Sequence, residues 1–220
     1  MQLIEDLRAE HDLIEQVLGS LRAFVAARLG GQGDPADGAR FMAFFRRYVG
    51  DFHHDKEELV LFRALSERAE LPPDRGPIPA LTDQHHRMAA LLDGLEGLLG
   101  TPLAVAEDRR RVDELAVDYS RSLWRHIDAE NSVMFPEGEE RLRRFHVRDL
   151  PSRPPTEAEA AARETGLALL AAYPPLHDAE VHRGDGCIAC PSFGTTCEGL
   201  EVEWWTDLEW EEMWERRQDE

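Results

Sequence analysis

Residues 53–62 read HHDKEELVLF, and residues 125–135 read RHIDAENSVMF. Aligned on His53 and His126, the two stretches place Glu57 on Glu130 and Leu61-Phe62 on Met134-Phe135. A histidine and a glutamate four residues apart are neighbours on a helix face, so both side chains point the same way. The first stretch offers a choice, because His54 and Glu58 repeat the spacing of His53 and Glu57. His53 and Glu57 share a stripe with Val49, Val60, Leu61 and Ala64, whereas His54 and Glu58 line up with Arg47 and Asp51. The inward pair is therefore expected to be His53 and Glu57, with His54 and Glu58 toward water.

Helical periodicity extends outward from these stretches. Leu7, His11, Ile14, Leu18, Leu21 and Val25 alternate spacings of three and four, which predicts a helix from Leu3 to Leu29. GGQGDPADG is a turn-rich break, and a second helix is expected from about Ala39 to Glu70, stopped by LPPDRGP. A third runs from near Ile78 to GTP at Gly100. The fourth runs from about Ala106 to Pro136, where proline should bend or end it, with a continuation to about His146. No segment alternates in the manner of a strand. The expected fold is all-α: an antiparallel four-helix bundle over residues 1–150, followed by a Cys- and Trp-containing extension over 151–220.

The chain has 220 residues and a formal charge of −19, from 44 acidic against 25 basic residues. Such a surface repels phosphate backbones and anionic lipid, which argues against nucleic acid and membranes as partners. No apolar run is long enough to span a bilayer, and the acidic amphipathic N-terminus lacks the pattern of a signal peptide, so a cytoplasmic protein is expected. Three cysteines, all in the last quarter, do not make a disulfide framework.

Histidine placement carries the functional information. His11 lies in line with Leu7, Ile14 and Leu18, and His85 with Leu81, Met88, Leu92, Leu95 and Leu99. On the fourth helix Leu115, Tyr119, Ser122, His126, Glu130 and Met134 form one stripe. His11 and His53 stand 42 positions apart, His85 and His126 41, so each half supplies one single histidine and one His-x3-Glu pair. A lone core histidine is commonly just hydrogen-bonded, and a lone His-x3-Glu pair is commonly a surface ion pair worth ~0.3–0.5 kcal/mol. Four imidazoles and two carboxylates turned inward together fit neither description, because each would lose hydration without return. A pair of divalent ions resolves the conflict, and nitrogen and oxygen ligands suit iron or manganese, with zinc also compatible. Tyr119 reads as a core tyrosine, or as a hydrogen-bond partner or redox-active phenol near the centre.

EHDLIEQVL, FHHDKEELVLF, DQHHRMAALL and RHIDAENSVMFP resemble the four helices of the hemerythrin-like, or HHE cation-binding, family over about residues 1–146. The resemblance implies a non-haem di-iron centre with His11, His53, Glu57, His85, His126 and Glu130 as ligands and the two glutamates bridging. It further implies dioxygen, nitric oxide or peroxide as small ligands. Two departures stand out. Oxygen-carrying members have a second histidine one turn after the third-helix ligand and an aspartate on the fourth helix, where this chain has Ala89 and Glu130. Coordination positions would stay open unless another group fills them, which weakens the case for a simple reversible oxygen carrier.

Beyond Leu150, PSRPPTEAE is a linker into a helix capped by Thr156 with Glu159 three residues on, stopped by AYPP. His182, Cys187, Cys190 and Cys197 read as a structural zinc site, as a redox pair with a spare thiol, or as inert cysteines, with His177 as a substitute ligand. Trp210, Met213 and Trp214 share a helical face that packs on the parent domain or serves as a homodimer surface. Two functional classes follow. The leading one is a sensor, store or scavenger that binds a small oxidant at a di-iron centre. The other is a di-iron oxidase or peroxidase acting on a small molecule.

Overall fold

The computed structural model describes residues 1–181. The cysteines, His182 and the tryptophan-rich end lie outside the described residues, so the zinc, redox and dimer readings have no structural test.

The described chain is an all-helical bundle, with no strand among the described residues. Helix α1 (Gln2–Leu29) buries Leu3, Leu7, His11, Ile14, Leu18, Leu21 and Val25, the stripe expected from its spacing. Helix α2 (residues 35–69) begins four residues before its expected start. Asp34 accepts a hydrogen bond from the backbone N–H of Ala36 at 2.9 Å, and Pro35 occupies the first turn, where its missing N–H costs nothing. The helix opens α-helical (Pro35–Ala43), is π-wound over Phe44–His54 and Glu57–Phe62, and closes α-helical (Arg63–Ala69). Glu70 then takes a left-handed conformation that ends it.

Helix α3 (Pro77–Leu99) buries Leu81, His85, Met88, Leu92, Leu95 and Leu99. Helix α4 (residues 106–144) runs through Pro136 without ending. Proline at 136 removes one helical donor and crowds the carbonyl four residues back. A π turn at Glu130–Met134 accommodates both before α-helix resumes over Phe135–Arg144. Helix α5 (Glu157–Ala172) opens with the expected capping box of Thr156 and Glu159 and packs against α1 and α2.

Two apolar clusters share the interior. One gathers Ile14, Leu18, Leu21, Phe24, Phe45, Leu92, Tyr119 and Leu123; the other gathers Leu3, Leu7, Leu61, Phe62, Leu81, Met134 and Phe135. His11, His53, Glu57, His85 and Glu130, all buried, fall between them in sequence, and the buried His126 lies at the edge of the first, beside Ile127. No described helix is long and apolar enough to cross a membrane.

Candidate metal centre

Glu57 and Glu130 are fully buried, and none of their four carboxylate oxygens has a hydrogen-bond partner. The Nε2 atoms of His11, His53 and His54 are buried and unpartnered as well. Seven orphaned polar atoms at one depth would be strongly destabilising if nothing bound there. The residues that carry them fall in two groups whose donor atoms converge, one of His11, His53, Glu57 and Glu130, the other of His54, Glu57, His85 and His126. Glu57 is common to both. Glu130 Oε2 lies 3.3 Å from His11 Nε2 and 3.2 Å from His126 Nε2, so this carboxylate also faces both sets.

The imidazoles are oriented from outside. Glu10 Oε2 meets His53 Nδ1 at 2.9 Å, Glu58 Oε1 meets His85 Nδ1 at 2.6 Å, Gln84 Oε1 meets His126 Nδ1 at 2.9 Å, and Asn131 Oδ1 meets His11 Nδ1 at 3.1 Å. The pattern is cyclic: α1 holds the histidine of α2, α2 that of α3, α3 that of α4, and α4 that of α1. Each holding residue sits next in sequence to a candidate ligand of its own helix. Oxygen acceptors on Nδ1 leave the Nε2 lone pairs aimed at the centre. The Nε2 atoms of His85 and His126 face each other at 2.9 Å, an arrangement that needs a cation, either a proton or a metal ion, between them.

His54 and Glu58 overturn the expectation that they face water. The His54 ring stacks on His85 at 3.8 Å and 12°, its Nε2 is buried, the residue joins the second donor set, and Glu58 reaches His85. The cause is the π winding of α2. An i→i+5 turn holds more residues than an α-turn, so neighbouring side chains diverge by less than the α-helical ~100°. His53 and His54 can then both turn inward. Ala89, one turn beyond His85, is exposed, as is His86. The fifth imidazole comes from α2.

Electrostatics follow the packing. Burial, then the nearby charge of His53, pulls His11 down to about 3. Burial also pulls on His53, but the carboxylates of Glu57 and Glu10 outweigh it and raise that ring to about 9. Burial, then His85, holds His54 and His126 well below the usual imidazole value. Burial and the adjacent Glu57 charge push Glu130 well above the carboxylate range. Glu57 stays well below it, because His53 overcomes the cost of burial. Most of the imidazoles are thus held neutral, the form in which they bind metals.

Residues that periodicity did not single out are Glu10, Gln84, Asn131 and the fully buried Lys56, which pairs with Glu10 and lies over the Phe52 ring at 4.3 Å. The available signal was adjacency: a polar residue flanks each candidate ligand. Tyr119 is buried with its ring edge-on to Phe45 at 5.1 Å. His177 is exposed beside a 290 Å³ cavity that also touches Arg22, Ser120 and Trp124 and none of the converging donors. The donor chemistry fits a metal site.

Among family models, the hemerythrin HHE cation-binding domain matches residues 2–137. No curated protein and no solved structure matches the chain significantly.

Proposed function

Because the chain belongs to the hemerythrin HHE cation-binding family, we propose that it is a non-haem di-iron protein that binds a small oxidant as a sensor, store or scavenger. Four helices running alternately up and down enclose one dinuclear site. Its ligands are His11, His53, Glu57, His85, His126 and Glu130, with His54 as a seventh. The observation that supports this reading best is the pair of converging donor sets sharing Glu57, with seven buried atoms that have no other partner.

The two positions differ in composition. His54, His85 and His126 would hold one ion and His11 and His53 the other, with Glu57 and Glu130 facing both. Iron at such a site would supply reversible one-electron chemistry and an attachment point for dioxygen, nitric oxide or peroxide. The chain's own part is to orient and to exclude water. Glu10, Glu58, Gln84 and Asn131 fix the ring orientations, so the donor atoms need little reorganisation on loading. Phe62 and Phe135 flank the site: Phe135 stacks on His11 at 5.4 Å and Phe62 on His85 at 6.3 Å. These rings give the site apolar walls.

His54 bears on the choice between binder and enzyme. It would supply a nitrogen where Ala89 leaves one missing, so fewer coordination positions would stay open than the sequence implied. The 290 Å³ cavity lies apart from the donors. The added nitrogen favours binding over oxidase or peroxidase chemistry. Iron-loaded protein should form an adduct with dioxygen or nitric oxide whose optical bands disappear when the gas is removed. Catalytic consumption of peroxide, or of dioxygen with an organic reductant, would replace the binder with the enzyme.

A further inference from the structure

His54 reaches the centre only because α2 departs from α-helical winding, and π turns are uncommon enough to need local support. In α4 the support is Pro136. No proline lies within the π-wound part of α2, residues 44–62. The chain that follows the bundle packs there instead. Arg153 Nη2 donates to the carbonyl of Asp51 at 2.8 Å, and its guanidinium lies over the Phe52 ring at 4.9 Å. Glu159 fixes that guanidinium through both terminal nitrogens, at 2.7 and 2.8 Å, while its Oε2 accepts from the Thr156 backbone N–H at 2.6 Å.

Along the same helix Phe44, Tyr48 and Phe52 follow at four-residue spacing, with ring centres 5.2 and 5.5 Å apart. Helix α5 meets this row with a small-residue face. Ala162 and Gly166 are buried, and a Cβ on Gly166 would lie 2.5 Å from Phe44 Cδ2. Only glycine allows α5 to approach so closely. Arg153, Ala162 and Gly166 all lie outside the stretch that matches the family, residues 2–137.

We infer that Arg153 and the small-residue face of α5 are positioning elements for the metal centre: they hold α2 in the π-wound form that turns His54 inward beside His53. The inference rests on His54 being a ligand, and the experiment separates the two. Full-length protein is loaded with cobalt(II) as probe, and its affinity is measured by chelator competition alongside the visible d–d bands. His54→Ala should weaken cobalt binding tenfold or more. Arg153→Met and Gly166→Ala should each weaken it by roughly 10- to 100-fold and shift the bands in the same direction. In the His54→Ala background either change should cost less than about twofold, because the ligand through which it acts is gone.

Loss in Arg153→Met of equal size with and without His54 would overturn the inference. So would unchanged binding in Arg153→Met where His54→Ala loses affinity. Unchanged binding in His54→Ala itself would remove His54 from the ligand set and the brace with it, while leaving the six-residue centre standing. Alanine at an interior helical glycine ordinarily favours the helix, so lost helicity in Gly166→Ala would itself report the Phe44 clash. Arg153→Met keeps the cycle readable in that case. In the metal-free chain, Arg153→Met should also speed amide exchange across residues 44–62.

Discussion

At the scale of single residues, ligand identity is decided by which ring atom each neighbour holds. Glu58 takes Nδ1 of His85 at 2.6 Å and so aims Nε2 at the centre. Glu58→Ala is expected to weaken metal binding by roughly 10- to 100-fold, with Glu58→Gln, which keeps an acceptor, losing less. His86→Ala should leave binding unchanged, since that ring is exposed; chelator competition reads all three. Six of the seven candidate ligands were legible in the sequence because each sits on an apolar stripe at α-helical spacing. His54 was not. Its α-helical neighbours Arg47 and Asp51 pointed it outward, and no residue in HHDKEELVLF announces a wider turn. The orienting residues were equally hidden, because a glutamate, glutamine or asparagine beside a ligand looks like ordinary surface polarity until the next helix is placed.

At the scale of elements, both His-x3-Glu motifs adjoin π winding: His53 and Glu57 lie in the π turns Phe44–His54 and Glu57–Phe62, and Glu130 opens the π turn Glu130–Met134. Pro136 hinted at one of them, and Ser132 reinforces it by donating its hydroxyl to the Asp128 carbonyl at 2.5 Å. The early start of α2 was legible in principle from Asp34 followed by Pro35. Asp34→Ala should lower stability by about 1 kcal/mol in denaturant unfolding, the usual effect of losing such a cap. The start of α5 carries a pH signature. Arg153 first, then Thr156, holds Glu159 down at about 2 from an ordinary value of 4.5. A depressed carboxyl contributes stability above its unfolded value and loses it as pH falls toward the folded one. The stability difference between wild type and Glu159→Gln should therefore be full above about pH 4.5 and shrink to nothing near pH 2. A difference independent of pH over that window would mean Glu159 acts only through packing.

At the scale of the whole molecule, a polar layer is set between two apolar clusters, and apart from the pairing of Glu57 with His53 its buried carboxylates are compensated only when cations bind. Metal binding is accordingly folding energy. At a free metal concentration a thousand times the dissociation constant, stability should rise by about 4 kcal/mol over the metal-free chain. Chelation should lower the thermal midpoint without abolishing the fold, because the apolar clusters persist on either side. The bundle was readable because its apolar stripes are long and its loops short. The approach of α5 to α2 was not, because it depends on one glycine meeting one phenylalanine far away in sequence. Iron per chain, counted in purified protein together with its Mössbauer spectrum, bears most directly on the dinuclear centre. Two irons per chain, magnetically coupled through shared carboxylates, are expected; one uncoupled iron, or none, would contradict it.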